Sequence, residues 1–267
     1  MTCLCLRANS VVSTSLKLKD NLSRAFVLQP KPYNLKLFCS SSSTSPAKMS
    51  AQIIEHIVLF KVKDETESSK INSMISNLNG LTSLNQVLHL TAGPIHSNRS
   101  SAFSFTHMLH SRYKTKEDLK GYADHPEHLK IVKESVLPIC DDLMAVDWVS
   151  NLDGPVAPLA GAAMRVTLLK LKESSEDAGK GQILGIIGSM KDTFPSVNQI
   201  SFGENFSPAR AKGFSIASIA VFPGLNELDA LDSNSEVVKA QKDKARDLLE
   251  SVIVVDYVIS PSQAANL

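Results

Sequence analysis

The sequence predicts an α+β fold: two tandem ferredoxin-like units, each β-α-β-β-α-β, with their sheets packed face to face or curled into one barrel. Three observations predict it. The chain repeats itself at a constant spacing, each copy opens on an alternating strand, and each strand precedes an apolar stripe at helical spacing.

The repeat comes first because it decides the architecture. His56-Ile-Val-Leu-Phe-Lys-Val-Lys63 reads like Arg165-Val-Thr-Leu-Leu-Lys-Leu-Lys172, and Ala145-Val-Asp-Trp-Val149 reads like Val254-Val-Asp-Tyr-Val258, both at an offset of 109. Phe105 and Phe214, Leu119 and Leu228, Glu127 and Glu236, and Lys130 and Lys239 keep the same offset. Gly93 and Gly203 differ by 110, a one-residue slip in a loop. An offset held over the whole unit marks a tandem duplication, with a first domain over 51–150, a linker over 151–162 and a second, degenerate domain over 163–260. The linker is rich in turn formers: Gly154, Pro155, Pro158 and Gly161.

Within the first unit, residues 54–63 alternate, with His56, Val58, Phe60 and Val62 on one face and Ile57, Leu59 and Lys61 on the other. Ile71, Met74, Ile75, Leu78 and Leu81 follow at helical spacing, and Ile183, Ile186, Ile187 and Met190 repeat the stripe. Strands fit 86–92 and 102–112. Thr115-Lys-Glu-Asp118 resembles a capping start for a helical segment reaching Pro138, and a last strand covers 143–149. A four-stranded sheet with both helices on one side leaves its other face bare. The face with Val58, Phe60 and Val62 is too apolar for water, so it is expected to bury against the second unit's sheet.

Composition narrows the function classes. The 267 residues carry a net charge of +1 and no basic stripe, which argues against a nucleic-acid surface. No apolar run is long enough for a membrane-spanning helix. Residues 1–48 hold seven basic groups against the single acid Asp20, and a hydroxyl run from Ser40 to Ser45, the signature of a plastid or mitochondrial transit peptide. Met49 could serve as a second start. In the tail, 261–267, the terminal Ala265-Asn266-Leu267 is a weakened peroxisomal address. The expected location is therefore the chloroplast, the peroxisome or both. Cys3, Cys5 and Cys39 fall in the leader, so Cys140 alone remains for the body, and no CxxC or HExxH spacing offers a zinc site.

Glu55-His56-Ile-Val-Leu-Phe60, Phe105-Thr-His107, Tyr122-Ala-Asp-His-Pro-Glu-His128 and Val146-Asp-Trp148 resemble the stress-responsive dimeric A/B barrel family of plants, over roughly 51–260. The resemblance implies a dimeric-type α+β barrel, stress responsiveness and mostly unassigned chemistry. It also implies a more distant likeness to the olivetolic acid cyclase type, which closes a polyketide ring with a Tyr and a His. Those roles would fall on Tyr122 and His128, with His56 and His107 lining the cavity. A magnesium ion at the end of the first helix is a further implication, held by the backbone carbonyls of Leu81, Leu84, Asn85 and Val87. No carboxylate lies in that stretch, so the donor set is weak and no cofactor is expected.

Local chemistry bears on those roles. The residue before proline resists helical geometry, so His125 should end the helix carrying Tyr122. Pro126 then opens a second helix with His128 in its first turn, where the positive helix end disfavours imidazolium and leaves a neutral base. A base, a phenol and two imidazoles facing an apolar cavity could enolise and cyclise a ketone without metal, flavin or nucleotide. The competing role of all four residues is packing, as hydrogen-bonded core or helix-end side chains. His89 and His110 have no evident partner and read as surface, and Lys239 to Arg246 reads as a solvated helix face. In the second unit His56, His107, Tyr122 and His128 become Arg165, Ile216, Leu231 and Val237. Any chemistry therefore belongs to the first unit.

The first expectation is a non-enzymatic stress-response barrel that binds a small apolar ligand. Its alternative is a cofactor-independent cyclase or lyase acting on a polyketide-like substrate through Tyr122 and His128. Expected partners are the second unit within the chain, a second copy as homodimer and the small ligand, with neither nucleic acid nor membrane.

Overall fold

The computed structural model describes residues 51–100, 103–233 and 235–260. The transit-like leader, Met49 and the terminal Ala265-Asn266-Leu267 lie outside the described residues.

The first repeat runs β1 (Ala51–Val62), α1 (Ser68–Gly80), β2 (Val87–Pro94), β3 (Ser97–Asn98), β4 (His107–Tyr113), α2 (Lys116–Ala123), α3 (Pro126–Ile131) and β5 (Cys140–Leu152). The second runs β6 (Ala163–Leu171), α4 (Glu176–Gly188), α5 (Met190–Thr193), β7 (Gln199–Glu204), β8 (Ile216–Phe222), α6 (Leu225–Ser233), α7 (Ser235–Arg246) and β9 (Leu249–Val258). One sheet has the order β2-β4-β1-β5 and the other β3-β9-β6-β8-β7, so the antiparallel ferredoxin-like order occurs twice. The last strand of the first repeat starts earlier and ends later than its apolar core alone suggests.

The two sheets pack face to face within the chain. Ile57, Leu59, Met108, Val146 and Trp148 of the first meet Met164, Val166, Leu168, Ile219, Val255 and Tyr257 of the second in one buried cluster. Full burial of each large aliphatic side chain is worth roughly 1.5–3 kcal/mol, so this interface is a principal source of stability. On β1 the structure reverses the expected faces. Val58, Phe60 and Val62 pack toward the helices, with Met74, Leu78 and Leu81, while Ile57 and Leu59 lie between the sheets. Both faces of β1 are covered and apolar, so alternation separates the two sets of residues without saying which set meets which layer.

Two seams join the sheets. At one, β3 of the first repeat pairs with β9 of the second, Ser97 opposite Asp256. At the other, Trp148 of β5 bridges to Asn205, and Phe206 N donates to Asp147 O at 2.9 Å. The seams are reciprocal: Trp148 Nε1 donates to Ser201 Oγ at 3.1 Å, and Tyr257 Oη shares a 2.8 Å hydrogen bond with Thr91 Oγ1. Gly203 lets β7 approach, because a Cβ there would stand 2.7 Å from the Val149 carbonyl oxygen.

A polar cluster is buried at one end of this interface. Glu55 pairs with Arg112 at 3.0 Å and accepts from His110 Nε2 at 2.6 Å, and Arg112 also donates to Gln199 of the second repeat at 3.0 Å. The His89 ring sits edge-on to His110, 5.3 Å between centroids. His89 and His110 are therefore core residues rather than surface ones. Their partners come from strands that only the fold brings together.

Candidate functional site

On the helix side of the first sheet, β1 and β5 set His56 directly opposite Asp147. His56 Nδ1 donates to Asp147 Oδ1. A carboxylate oxygen only accepts, so a proton sits on Nδ1, and in the neutral imidazole the lone pair is carried by Nε2. Asp147 is itself held by the second repeat. Arg210, on the short turn Pro208–Arg210 after β7, donates from Nη2 to Asp147 Oδ2 at 2.8 Å. Burial alone would raise the Asp147 carboxyl, but the hydrogen bond and charge of His56, the Ser207 hydroxyl and Arg210 outweigh it and hold the group below its usual range.

The opposite wall follows from the sequence around Pro126. Thr115 caps α2: its Oγ1 accepts from Asp118 N at 3.1 Å and its own N donates to Asp118 Oδ2 at 3.1 Å. The helix ends at Ala123, His125 takes extended geometry as the next N-cap, and Pro126 opens α3. The break folds His128 back so that Nδ1 donates to the Ala123 carbonyl at 3.0 Å. Its Nε2 is likewise left with a lone pair. His128 is held neutral chiefly by burial, with the nearby His56, Arg210 and His125 acting the same way against the opposing Ala123 carbonyl. The direction is the one expected, but desolvation is its leading cause and the helix end is not among its causes.

Tyr122 is buried between these groups. Its ring centroid lies 4.5 Å from that of His128, 5.2 Å from Tyr113 and 6.4 Å from His56. Burial pushes the Tyr122 phenol up, so it stays protonated and can donate. Tyr113, raised mainly by burial too, shares a 2.9 Å hydrogen bond with Ser111 Oγ.

These side chains edge a cavity of about 330 Å³. Val58, Phe60, Leu78, Leu109, Leu119, Val132, Val136 and Leu143 make its apolar walls, and His56, Tyr122, His128 and Arg210 supply its polar groups. Two imidazole Nε2 atoms that no described residue hydrogen-bonds, a protonated phenol and a guanidinium can move a proton and steady a developing oxyanion.

Three expected site residues thus come together: His56, Tyr122 and His128. His107 does not join them. It pairs with Phe60 while Ser111 pairs with His56, which puts it four residues, or about 13 Å, along the strand. Its Nδ1 is tied to Thr106 Oγ1 at 2.9 Å, and its imidazole is lowered by burial. The magnesium expectation does not fit the donors present. The Leu81 and Leu84 carbonyls already accept from Leu84 N at 3.1 Å and Val87 N at 2.9 Å, and neither Asn85 nor Val87 adds a carboxylate. No group of three or more His, Cys, Asp or Glu that could hold a metal occurs among the described residues.

Asp147, Tyr113 and Arg210 escaped the sequence reading as functional residues. Asp147 had a signal: an acid among apolar strand residues, matched at Asp256 in the second copy. Arg210 had none, since it arrives from a loop in the other repeat.

Comparison with known proteins follows the same lines. The model of the Stress responsive A/B Barrel Domain matches residues 54–150 and again 164–259. One stress-response A/B barrel domain-containing protein of Arabidopsis thaliana is 51% identical over 266 residues, 99% of this chain and all of the relative. A second Arabidopsis thaliana protein of the same description is 46% identical over 215 residues, 79% of this chain and 99% of its own. Among solved structures, a putative monooxygenase of Fusobacterium nucleatum superposes with a TM-score of 0.58 at 14% identity, over 79% of this chain and 94% of its own. One of Lactobacillus acidophilus gives 0.51 at 14% identity, over 78% and 93%. Those two likenesses concern the fold. With both repeats matched by one model and a relative aligned end to end, this chain belongs to the stress-responsive A/B barrel domain family.

Proposed function

We propose that the first repeat binds a small, largely apolar carbonyl compound and catalyses proton transfer on it, in the manner of a cofactor-independent cyclase or lyase. The observation that carries the reading is the pairing of His56 Nε2, backed by Asp147, with Tyr122 and His128 around one open apolar cavity. A filled site would have favoured packing roles alone.

For a polyketide-like substrate with two carbonyls the steps balance without a co-reactant. His56 Nε2 takes an α-proton as the C–H bond breaks, and Tyr122 donates a hydrogen bond to the carbonyl oxygen that becomes enolate. The enolate carbon bonds to the second carbonyl carbon, whose oxygen collects the proton from His56. His128, neutral and beside Tyr122, positions the phenol or exchanges its proton.

A ligand-holding barrel without turnover is the second reading. It is favoured by the second repeat, which retains the hydrophobic frame while Arg165, Ile216, Leu231 and Val237 replace the candidate groups. Deuterium exchange separates the two. In heavy water, an aryl-alkyl ketone with slow spontaneous α-exchange should exchange faster with the protein, and Tyr122→Phe and His56→Ala should remove the acceleration. Binding without any acceleration would retain the carrier and refute the enzyme.

A further inference from the structure

The second repeat has its own cavity on the helix side of its sheet, of about 600 Å³, nearly twice the volume of the first. Leu169, Ile183, Ile187, Phe194 and Leu231 are among its walls. Its polar end stands where the duplication would set the His56–Asp147 pair: Arg165 replaces His56 and Asp256 replaces Asp147.

The chemistry of that end differs from the first site. Arg165 donates from Nε to Asp256 Oδ1 at 2.7 Å and from Nη1 to Asp232 Oδ1 at 2.7 Å. Its Nη2 reaches Asp232 Oδ2 at 2.9 Å and Asp256 Oδ2 at 3.0 Å. Arg99 crosses from the first repeat, donating from Nε to Asp256 Oδ2 at 3.2 Å and from Nη2 to Asp232 Oδ2. Two guanidiniums therefore face two carboxylates, and their charges cancel. All four carboxylate oxygens are engaged, while Arg99 Nη1 donates to no described residue. At the rim, Arg246 is paired with Asp243 and Glu250 with Lys170. Among the described lining residues, the cavity has the Arg99 Nη1 N–H groups to offer without unmatched positive charge.

Such an end favours an uncharged acceptor. A carboxylate entering it would lose its hydration and meet Asp232 with no unmatched cation among the described lining residues to offset it. A carbonyl oxygen would accept from the guanidinium at no such cost, while its chain fills the aliphatic walls. We propose that the second repeat binds an uncharged, mainly aliphatic molecule with a carbonyl head, as a site separate from the first cavity and independent of any catalysis there.

Two methionines make the test site-specific, since Met190 lines the second cavity and Met144 the first. The full chain, labelled with ¹³C at its methionine methyls, would be titrated with methyl nonyl ketone and with undecanoate, which match in carbon number. The Met190 signal, assigned with Met190→Leu, should move saturably with the ketone and at about tenfold or more higher concentration with undecanoate. Ile186→Trp, which fills the cavity, should abolish the Met190 response and leave any Met144 response in place. Arg99→Gln, which removes guanidinium N–H donors from the polar end, should weaken binding of the ketone. The proposal is overturned if Met190 stays still with the ketone, whether or not Met144 moves. It is equally overturned if undecanoate binds as tightly as the ketone. Failure of the first cavity to respond leaves it standing, so it fails separately from the reading of the first repeat.

Discussion

Arg210 Nη2 donates to Asp147 Oδ2 at 2.8 Å although 63 residues and a repeat boundary separate them. The other half mirrors the arrangement, with Arg99 of the first repeat donating to Asp256 of the second at 3.2 Å. Each repeat lends an arginine to the other's buried aspartate. What the aspartates hold has diverged, an imidazole on Asp147 and a guanidinium on Asp256. The second repeat is thus part of the first repeat's site, whatever groups it has lost from its own.

Arg210→Gln tests that dependence. The Arg210 side chain is 54% exposed, so losing the ion pair should lower stability by no more than about 1 kcal/mol. The Asp147 carboxyl should nevertheless titrate at higher pH in the folded protein, because one of the charges depressing it is gone. Carbon-detected NMR titration of Asp147, beside a thermal melt, reads both. An Asp147 titration identical to wild type would rule out the inter-repeat support.

Expressing the halves separately tests the sheet interface. Each half would expose the apolar face that carries Ile57, Leu59 and Val146, or Val166, Leu168 and Val255. The expected result is self-association or aggregation in light scattering after size exclusion. Well-behaved monomers from both halves would contradict the interface as a main source of stability.

Much of the fold was legible because duplication writes the same pattern twice. The match of Val146-Asp-Trp148 to Val255-Asp-Tyr257 marks a strand pair in the sequence, and the structure gives it a meaning: Trp148 and Tyr257 are the hydrogen-bonded ends of reciprocal seams. The break at His125-Pro126 was equally legible, since it follows from local sterics. What escaped the sequence depends on distant chain. The orientation of β1 hinged on two covered faces, His89 and His110 on a buried Glu55–Arg112 pair, and the Asp147 environment on a loop of the other repeat. Period-two patterning carries none of that information.

Tyr122→Phe and His128→Ala separate function from packing. Tyr122→Phe keeps the ring and removes one buried hydroxyl, and His128→Ala removes the hydrogen bond to Ala123, so each should cost about 1–3 kcal/mol or less. Leu231→Ala, at the position matching Tyr122, should cost about 2–5 kcal/mol through a cavity and leave first-site proton exchange unchanged. If the first repeat is catalytic, the first two variants should slow exchange by about 100-fold or more while remaining folded. Exchange rates that track only the melting temperatures would assign the residues to packing.

Acid should destabilise the fold in two stages, both from the buried cluster between the sheets. Burial depresses the His89 imidazole from 6.5 to about 2, so below pH 6.5 the unfolded chain binds a proton that the folded one refuses. Stability therefore falls as pH drops through 6.5 and keeps falling toward 2. Glu55 behaves alike over a lower window: burial would raise its carboxyl, but Arg112 and His110 hold it at about 2 against 4.5. Its contribution is full above pH 4.5 and is lost between 4.5 and 2. Burial lowers His110, His107 and His128 in the same direction, so His89→Leu isolates the His89 share of the upper stage. It should remove about 2 kcal/mol of the loss between pH 6.5 and 4.5 and a further share below that, while the Glu55 loss remains in the lower window. Both His89 ring nitrogens lack a hydrogen-bond partner among the described residues, so the substitution breaks no hydrogen bond there at neutral pH. Urea melts at half-unit pH steps would measure both curves. Parallel wild-type and His89→Leu curves between pH 6.5 and 4.5 would mean that the imidazole takes up its proton in the folded chain.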